Sequence, residues 1–196
     1  RSKWVAEQLV AEAARRGPPV TVYRPGPVSG DSRTGAFNSA DFLCRVLQGY
    51  LHSGTAPEGT LSLDFMPVDY LAKAIVYLSG QSASTGRTYH LIHSSPVSSD
   101  ILFDACASEG MPIRRVPYQA WHRELMDIAR DNPEHPLYPL VALFAARGDE
   151  VRETHVLPFD CSVSRAALAD APFEEPPLDL TLFSNYLRAF VRAGAV

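Results

Sequence analysis

One pattern occurs twice in this chain and limits its fold more than any other feature: an amphipathic helix stops on glycine and hands over to a short extended run. In residues 2–16, Ala6, Leu9, Val10 and Ala13 recur at the spacing of one helical stripe. Arg15 and Arg16 suit the negative end of that helix, and Gly17-Pro18-Pro19 ends it. Residues 20–24, β-branched and bounded by prolines, then read as a buried strand. The strand runs into Pro25-Gly26-Pro27-Val28-Ser29-Gly30, a stretch expected to be neither helix nor strand interior. In the second unit Asp69 reads as the N-cap of a helix over residues 70–78, with Leu71, Ile75 and Leu78 on one face. Gly80 closes this helix, and residues 88–92 form the next strand. Repeated helix-to-strand units build parallel sheets, so the class is α/β.

Two buried strands do not make a stable open sheet without neighbours. The chain also opens without a methionine, inside a helical pattern. A larger N-terminal portion is therefore expected to be missing, with residue 1 a cut. Elsewhere, a helix over 41–50 is expected to carry Phe42, Val46 and Leu47 inward, and a strand over 61–65 to alternate Leu61, Leu63 and Phe65. Beyond Pro96 the chain becomes helix-rich, with helices expected at 98–108, 118–130, 137–147 and 178–192 and a brief strand at 113–116. Prolines 133, 136, 139, 158, 172, 176 and 177 cut this half into short pieces.

A net charge of −4 and a pI of about 5.8 argue against nucleic acid or an anionic membrane surface as the main partner. The densest apolar stretch, 137–146, is interrupted by Tyr138 and Pro139, so no membrane span is expected. No basic-then-apolar leader opens the chain. The three cysteines form no CxxC pair, and Cys44 and Cys106 fall inside helical patterns, as small core hydrophobes do. That usage fits a reducing cytoplasm.

Several chemistries are absent. No GxG occurs, which removes both the GxGxxG dinucleotide turn and the P-loop. Gly30 to Gly35 has one residue too many for a nucleophile elbow. There is no HExxH; His90 and His93 end a strand on opposite faces, and His122 and Glu124 do not face each other on a helix. No metal site is expected.

Three features in order carry the functional information. Ser2-Lys3-Trp4-Val5-Ala6-Glu7 opens a helix that feeds a strand. That strand ends Tyr23-Arg24-Pro25-Gly26. Then Phe65-Met66-Pro67-Val68-Asp69-Tyr70-Leu71-Ala72 passes from strand to helix. With the late Phe159-Asp160-Cys161-Ser162 segment and the closing Tyr186-Leu187-Arg188, this resembles the extended short-chain dehydrogenase/reductase superfamily. Within it, the chain most resembles the terminal thioester reductase domains of nonribosomal peptide and polyketide synthases; carboxylic acid and aminoadipate reductases carry related domains. The likeness covers nearly the whole chain, most loosely residues 111–157.

The resemblance implies a partial Rossmann-type parallel sheet, its N-terminal part missing, with an α-rich C-terminal substrate lobe. Residues 1–30 and 67–96 would be what remains of the nucleotide-binding domain, and 31–66 and 97–196 the substrate lobe. It implies NADPH as cofactor and reductive release of an acyl or peptidyl thioester, presented by the phosphopantetheine arm of a carrier protein, as aldehyde or alcohol. In the family the active helix begins Tyr-x-x-x-Lys. Lys3 matches the lysine, and the tyrosine would lie two positions before Arg1. A phenol with a pKa near 10 is a poor acid–base group at neutral pH, and a cation one helical turn away favours its ionised form. Lys3 is thus the catalytic candidate and, by resemblance, also holds the nicotinamide ribose. Pro25, Gly26, Pro27 and Val28 are the other cofactor-binding candidates; Arg33 and Phe37 are candidates for the substrate wall. Without the tyrosine and the glycine-rich turn, the isolated chain is expected to be inactive. Two other functions fit less well: an extended short-chain enzyme or epimerase acting on a nucleotide sugar or sterol, for which Arg114, Arg115 and Arg123 offer scattered charge, and a non-catalytic lobe that docks a carrier protein.

Overall fold

The computed structural model describes residues 1–145 and 159–195. Helix α1 (Ser2–Arg15) leads through a six-residue connection to strand β1 (Val22–Pro25), and helix α3 (Val68–Ser79) leads to strand β6 (Thr88–Leu91). The two strands pair in parallel, Val22 opposite Thr88 and Pro25 opposite Leu91. Both expected units therefore exist and meet in one sheet. Their core is Met66, Tyr70, Leu71, Ala74, Leu78, Tyr89 and Leu91, and the Tyr23 and Tyr89 rings stack 6.0 Å apart.

Strand pairing goes beyond what periodicity predicts, in further two-stranded sheets. Pro25 belongs to β1, and after Gly26-Pro27 the chain re-enters extended structure as β2 (Val28–Ser29), parallel to β5 (Met66–Pro67). The stretch expected to exclude strand thus contains one. A strand of two residues needs only two ladder positions, and Pro27 takes part through its carbonyl, which accepts from Met66 N at 2.8 Å. The expected strand over 61–65 is instead β4 (Ser62–Leu63), antiparallel to β7 (Val97–Ser98). Leu63 and Phe65 are buried there, but Leu61 is exposed. A third parallel pair joins β3 (Thr55–Pro57) to β8 (Arg114–Val116).

Helix α2 (Phe42–Ser53) is capped by the Asp41 carboxylate, which accepts from Leu43 N, and it buries Cys44 and Leu47 while leaving Phe42 exposed. Helix α3 starts two residues earlier than expected. Its N-cap is Pro67, with no side-chain cap, and Asp69 lies in the first turn. Helices α4 (Asp100–Ser108) and α8 (Leu180–Arg192) pack together over Leu182, Phe183, Tyr186, Leu187 and Phe190. The Asp179 carboxylate caps α8 by accepting from Leu182 N at 2.9 Å. Helix α5 (Tyr118–Asp131) places Trp121 and Leu125 in a separate cluster with Val116, Leu137 and Phe144. The helix expected over 137–147 is a single 3-10 turn at Tyr138–Leu140 followed by α6 (Val141–Ala145); its last two residues lie outside the described ones. Helix α7 (Ser162–Leu168) brings Ala167 and Leu168 back onto the β1–β6 core.

Helix α1 differs from the rest. Its apolar stripe covers nothing among the described residues: it has no buried residue, and Leu9 and Trp4 are each 66 % exposed.

Candidate functional site

The turn Pro25–Val28 lies at the carboxyl ends of β1 and β6, where open parallel sheets receive ligands. Gly26 N donates to Leu91 O at 3.0 Å, carrying the ladder one residue past β1. A β-carbon on Gly26 would lie 3.1 Å from Ile92 Cγ1, so the turn sits tightly against the end of β6. With Pro27 O tied to Met66, the Pro25–Val28 turn is held from both neighbouring strands. Pro25 and Pro27 themselves face outward.

Helix α1 is fixed to this end by one ion pair. Arg24 Nε donates to Glu7 Oε1 at 2.9 Å and a second guanidinium nitrogen reaches Oε2, while Arg24 also contacts His90 Nε2 at 3.2 Å. The hydrogen bond from Arg24 holds the Glu7 carboxyl below the usual carboxylate range and raises the guanidinium in turn. Lys3 lies four residues before Glu7, so the two share a helix face. Helix α1 therefore carries Lys3 one turn N-terminal to the Glu7–Arg24 contact. Lys3 is exposed there and has no hydrogen bond or ion pair among the described residues. Its i+4 carboxylate is already committed to Arg24, and no acidic residue occupies the first turn of α1. A cation in that position opposes the helix dipole.

Beyond β2 the chain forms a loop fastened at several points. Ser32 N and Oγ donate to the two oxygens of Asp69 at 2.8 and 2.9 Å. Asp69 therefore caps the neighbouring loop and not its own helix. The Asp31 carboxylate accepts from Arg33 N, Thr34 N and Thr34 Oγ1, and these bonds, led by that from Thr34 N, hold it below its ordinary range. Tyr186 OH donates to Gly30 O at 2.9 Å and pairs with Ser29 Oγ at 3.0 Å. Arg33 is exposed on this loop. Phe37 is half-buried with its ring edge-on to Phe190 at 4.2 Å, so it belongs partly to the core beneath.

The structure thus joins the turn, Arg33 and Phe37 through one continuous stretch of chain, while Lys3 stands on α1 one turn from the Glu7–Arg24 ion pair and touches none of them among the described residues. Sequence reasoning missed Ser29, Tyr186 and the Ser32–Asp69 pair. Ser29 and Tyr186 are 157 positions apart, and nothing local in the sequence links them. Among the described residues no group of three or more histidine, cysteine or acidic side chains could hold a metal. His93, buried, donates from Nε2 to Pro176 O at 2.9 Å and fastens the segment before α8 to the end of β6.

A parallel α/β sheet whose held turn lies at its carboxyl edge, backed by a helical lobe, is the fold of the short-chain dehydrogenase/reductase superfamily. Residues 1–75 match the NAD-binding family described as male sterility protein. The chain superposes over 100 % of its length, with a TM-score of 0.90 and 39 % identity, on 50 % of the terminal R domain from the myxalamid PKS-NRPS biosynthetic pathway. It is 34 % identical over 196 residues to a component of the linear gramicidin synthase of Brevibacillus parabrevis, covering 99 % of this chain and 4 % of that protein. It is also 39 % identical over 126 residues to an isonitrile lipopeptide synthase of Streptomyces coeruleorubidus, covering 64 % of this chain and 8 % of that protein. The chain is homologous to the terminal reductase domains of nonribosomal peptide and polyketide synthases, and it spans half of the solved domain and a small part of each synthase. No described helix is long and apolar enough to cross a membrane.

Proposed function

We propose that this chain is the C-terminal part of an NADPH-dependent reductase that releases a carrier-bound acyl or peptidyl thioester as an aldehyde or alcohol. The observation that carries the proposal is the likeness at 39 % identity to a terminal R domain over the chain's whole length. The residues present fit the cofactor this implies: an outward-facing proline turn held from both sides, and on α1 an exposed ammonium with no partner of its own among the described residues. Pro25, Gly26, Pro27, Val28 and Lys3 would hold NADPH, whose nicotinamide supplies hydride when bound.

This chain's own contribution is position and charge. Glu7 and Arg24 set the height of α1 against β1, which fixes where Lys3 stands. From there Lys3 would hydrogen-bond a sugar hydroxyl and favour the ionised form of a neighbouring phenol. The prolines offer the turn no N–H of their own, and their exposed rings form an apolar edge against which a planar ring can rest. Arg33 and Phe37 would border the thioester, delivered on the phosphopantetheine arm of a carrier protein. Residues 1–30 and 67–96 are assigned to the nucleotide-binding part, and 31–66 and 97–196 to the substrate lobe. A cytoplasmic setting suits three unpaired cysteines.

The test is a coupled assay of the full-length reductase with an acyl-phosphopantetheine thioester and NADPH, following cofactor oxidation and trapping the aldehyde. Stoichiometric NADPH loss and aldehyde or alcohol product are expected. Absence of both, with a folded enzyme, would overturn the proposal.

A further inference from the structure

We propose that Tyr186, on the C-terminal helix, and Ser29 act as a positioning pair that sets the cofactor-facing turn; this rests on the function proposed above. Tyr186 is 6 % exposed, and its hydroxyl bridges Ser29 Oγ and Gly30 O, the last residue of β2 and the first beyond it. The turn Pro25–Val28 ends one residue before Ser29, so a shift at this bridge passes directly into it.

The bridge is anchored on both sides. On one side, the Tyr186 ring meets Phe183 edge-on at 6.1 Å, and α8 is tied to the end of α4 by Arg188, which donates to both oxygens of Glu109 at 3.0 and 2.8 Å. On the other side, Gly30 O also accepts from Val68 N at 3.3 Å, which joins the same carbonyl to the start of α3. The loop beyond lies against α8 with no slack. A β-carbon on Gly30 would lie 3.0 Å from the Tyr186 ring, and Arg192 donates to Thr34 O at 3.0 Å. Helix α8, far away in sequence, therefore holds one wall of the site.

The hydroxyl is the informative atom. A phenylalanine would fill the same apolar space, so packing alone does not call for a tyrosine. Burial raises the phenol well above its ordinary range, which keeps it a proton-bearing donor and not an acid–base group. Its contribution is geometric. Misplacing reacting groups by about 1 Å can cost on the order of a hundredfold in rate.

The experiment compares Tyr186→Phe, Ser29→Ala and the double variant in the full-length reductase. Its readouts are NADPH affinity by cofactor fluorescence, the kcat-against-KM split, and amide exchange over residues 26–33. Each single variant is expected to weaken NADPH binding and lower kcat by roughly tenfold, to leave the thioester KM within about twofold, and to speed amide exchange in the turn. The double variant is expected to be no worse than Tyr186→Phe, because both substitutions remove one shared hydrogen bond. Leu182→Ala, which disturbs the α8 core, is expected to lower the melting temperature without changing NADPH affinity in the folded enzyme. Wild-type NADPH affinity and kcat in Tyr186→Phe, or additive effects in the double variant, would overturn the positioning role while leaving the reductase assignment in place. A wild-type enzyme that binds no NADPH would overturn both. Should Tyr186→Phe fail to fold, Ser29→Ala decides by the same values.

Discussion

Replacing Gly35 by alanine tests how tightly the loop beyond the Pro25–Val28 turn is held. Gly35 has φ +72°, and a β-carbon there would come within 2.5 Å of Asn185 O and 2.8 Å of Ala189 Cβ, both on α8. Gly54, the C-cap of α2, has φ +66° with nothing within 4 Å of an added β-carbon. Left-handed backbone costs a residue with a side chain roughly 1–2 kcal/mol at either site. A stiffer unfolded chain returns about 0.4–1 kcal/mol in both. Those two contributions cancel in the comparison. What remains at Gly35 is a clash with a backbone carbonyl of a packed helix, an overpacking cost of about 1–3 kcal/mol. Gly54→Ala is thus expected to destabilise by about 1 kcal/mol and Gly35→Ala by roughly 2–4 kcal/mol. For a chain of 196 residues, each kcal/mol lowers the melting temperature by about 2–4 °C. Urea melts of both variants at unchanged m-value measure the difference directly. Equal destabilisation would mean that α8 does not press on the loop as described.

Burial pushes the Cys44 thiol up to about 11 and the Cys106 thiol up to about 12, whereas Cys161 is only partly buried. A thiol reagent at neutral pH is therefore expected to label Cys161 first and the other two only on unfolding; rapid native-state labelling of Cys106 would contradict the placement of α4. The Asp31 carboxyl is held below its usual value by the amides it accepts from. Such a group stabilises the fold fully above its unfolded pKa, near 3.9, and the contribution disappears as pH falls through the lower folded value. Melting temperatures of wild type and Asp31→Asn are expected to converge as pH drops below about 4, and a constant gap would refute the hydrogen-bonded loop.

Much of this fold could be read locally. The stripes of α1 and α3, their glycine and proline stops and the two extended runs are properties of neighbouring residues, and β1 and β6 pair where those runs were expected. Long-range partnerships were not legible. Asp69 has the composition of a helix cap, yet its carboxylate holds Ser32, 37 positions away, because the loop beyond β2 brings two donors within reach. Phe42 fits an inward stripe by spacing alone, but it stands in the first turn of α2, where the chain has not yet met the core, and is 49 % exposed. The two-residue strands β2 and β5 are too short for any period to appear. The candidate site divides along the same line. Lys3 and the proline turn are recognisable as a motif, whereas Tyr186 and Ser29 become partners only once α8 has folded against β2.

The function proposed for this chain depends on the charge of Lys3 in the first turn of α1. Steady-state kinetics of Lys3→Ala in the full-length reductase, beside its melting curve, measure that dependence most directly. A loss of about 10²–10⁴ in kcat/KM is expected, the range for a group that supports proton transfer. The melting temperature should hold within a degree or so, because Lys3 is exposed and touches no described partner. Turnover close to wild type in a folded Lys3→Ala enzyme would contradict the account.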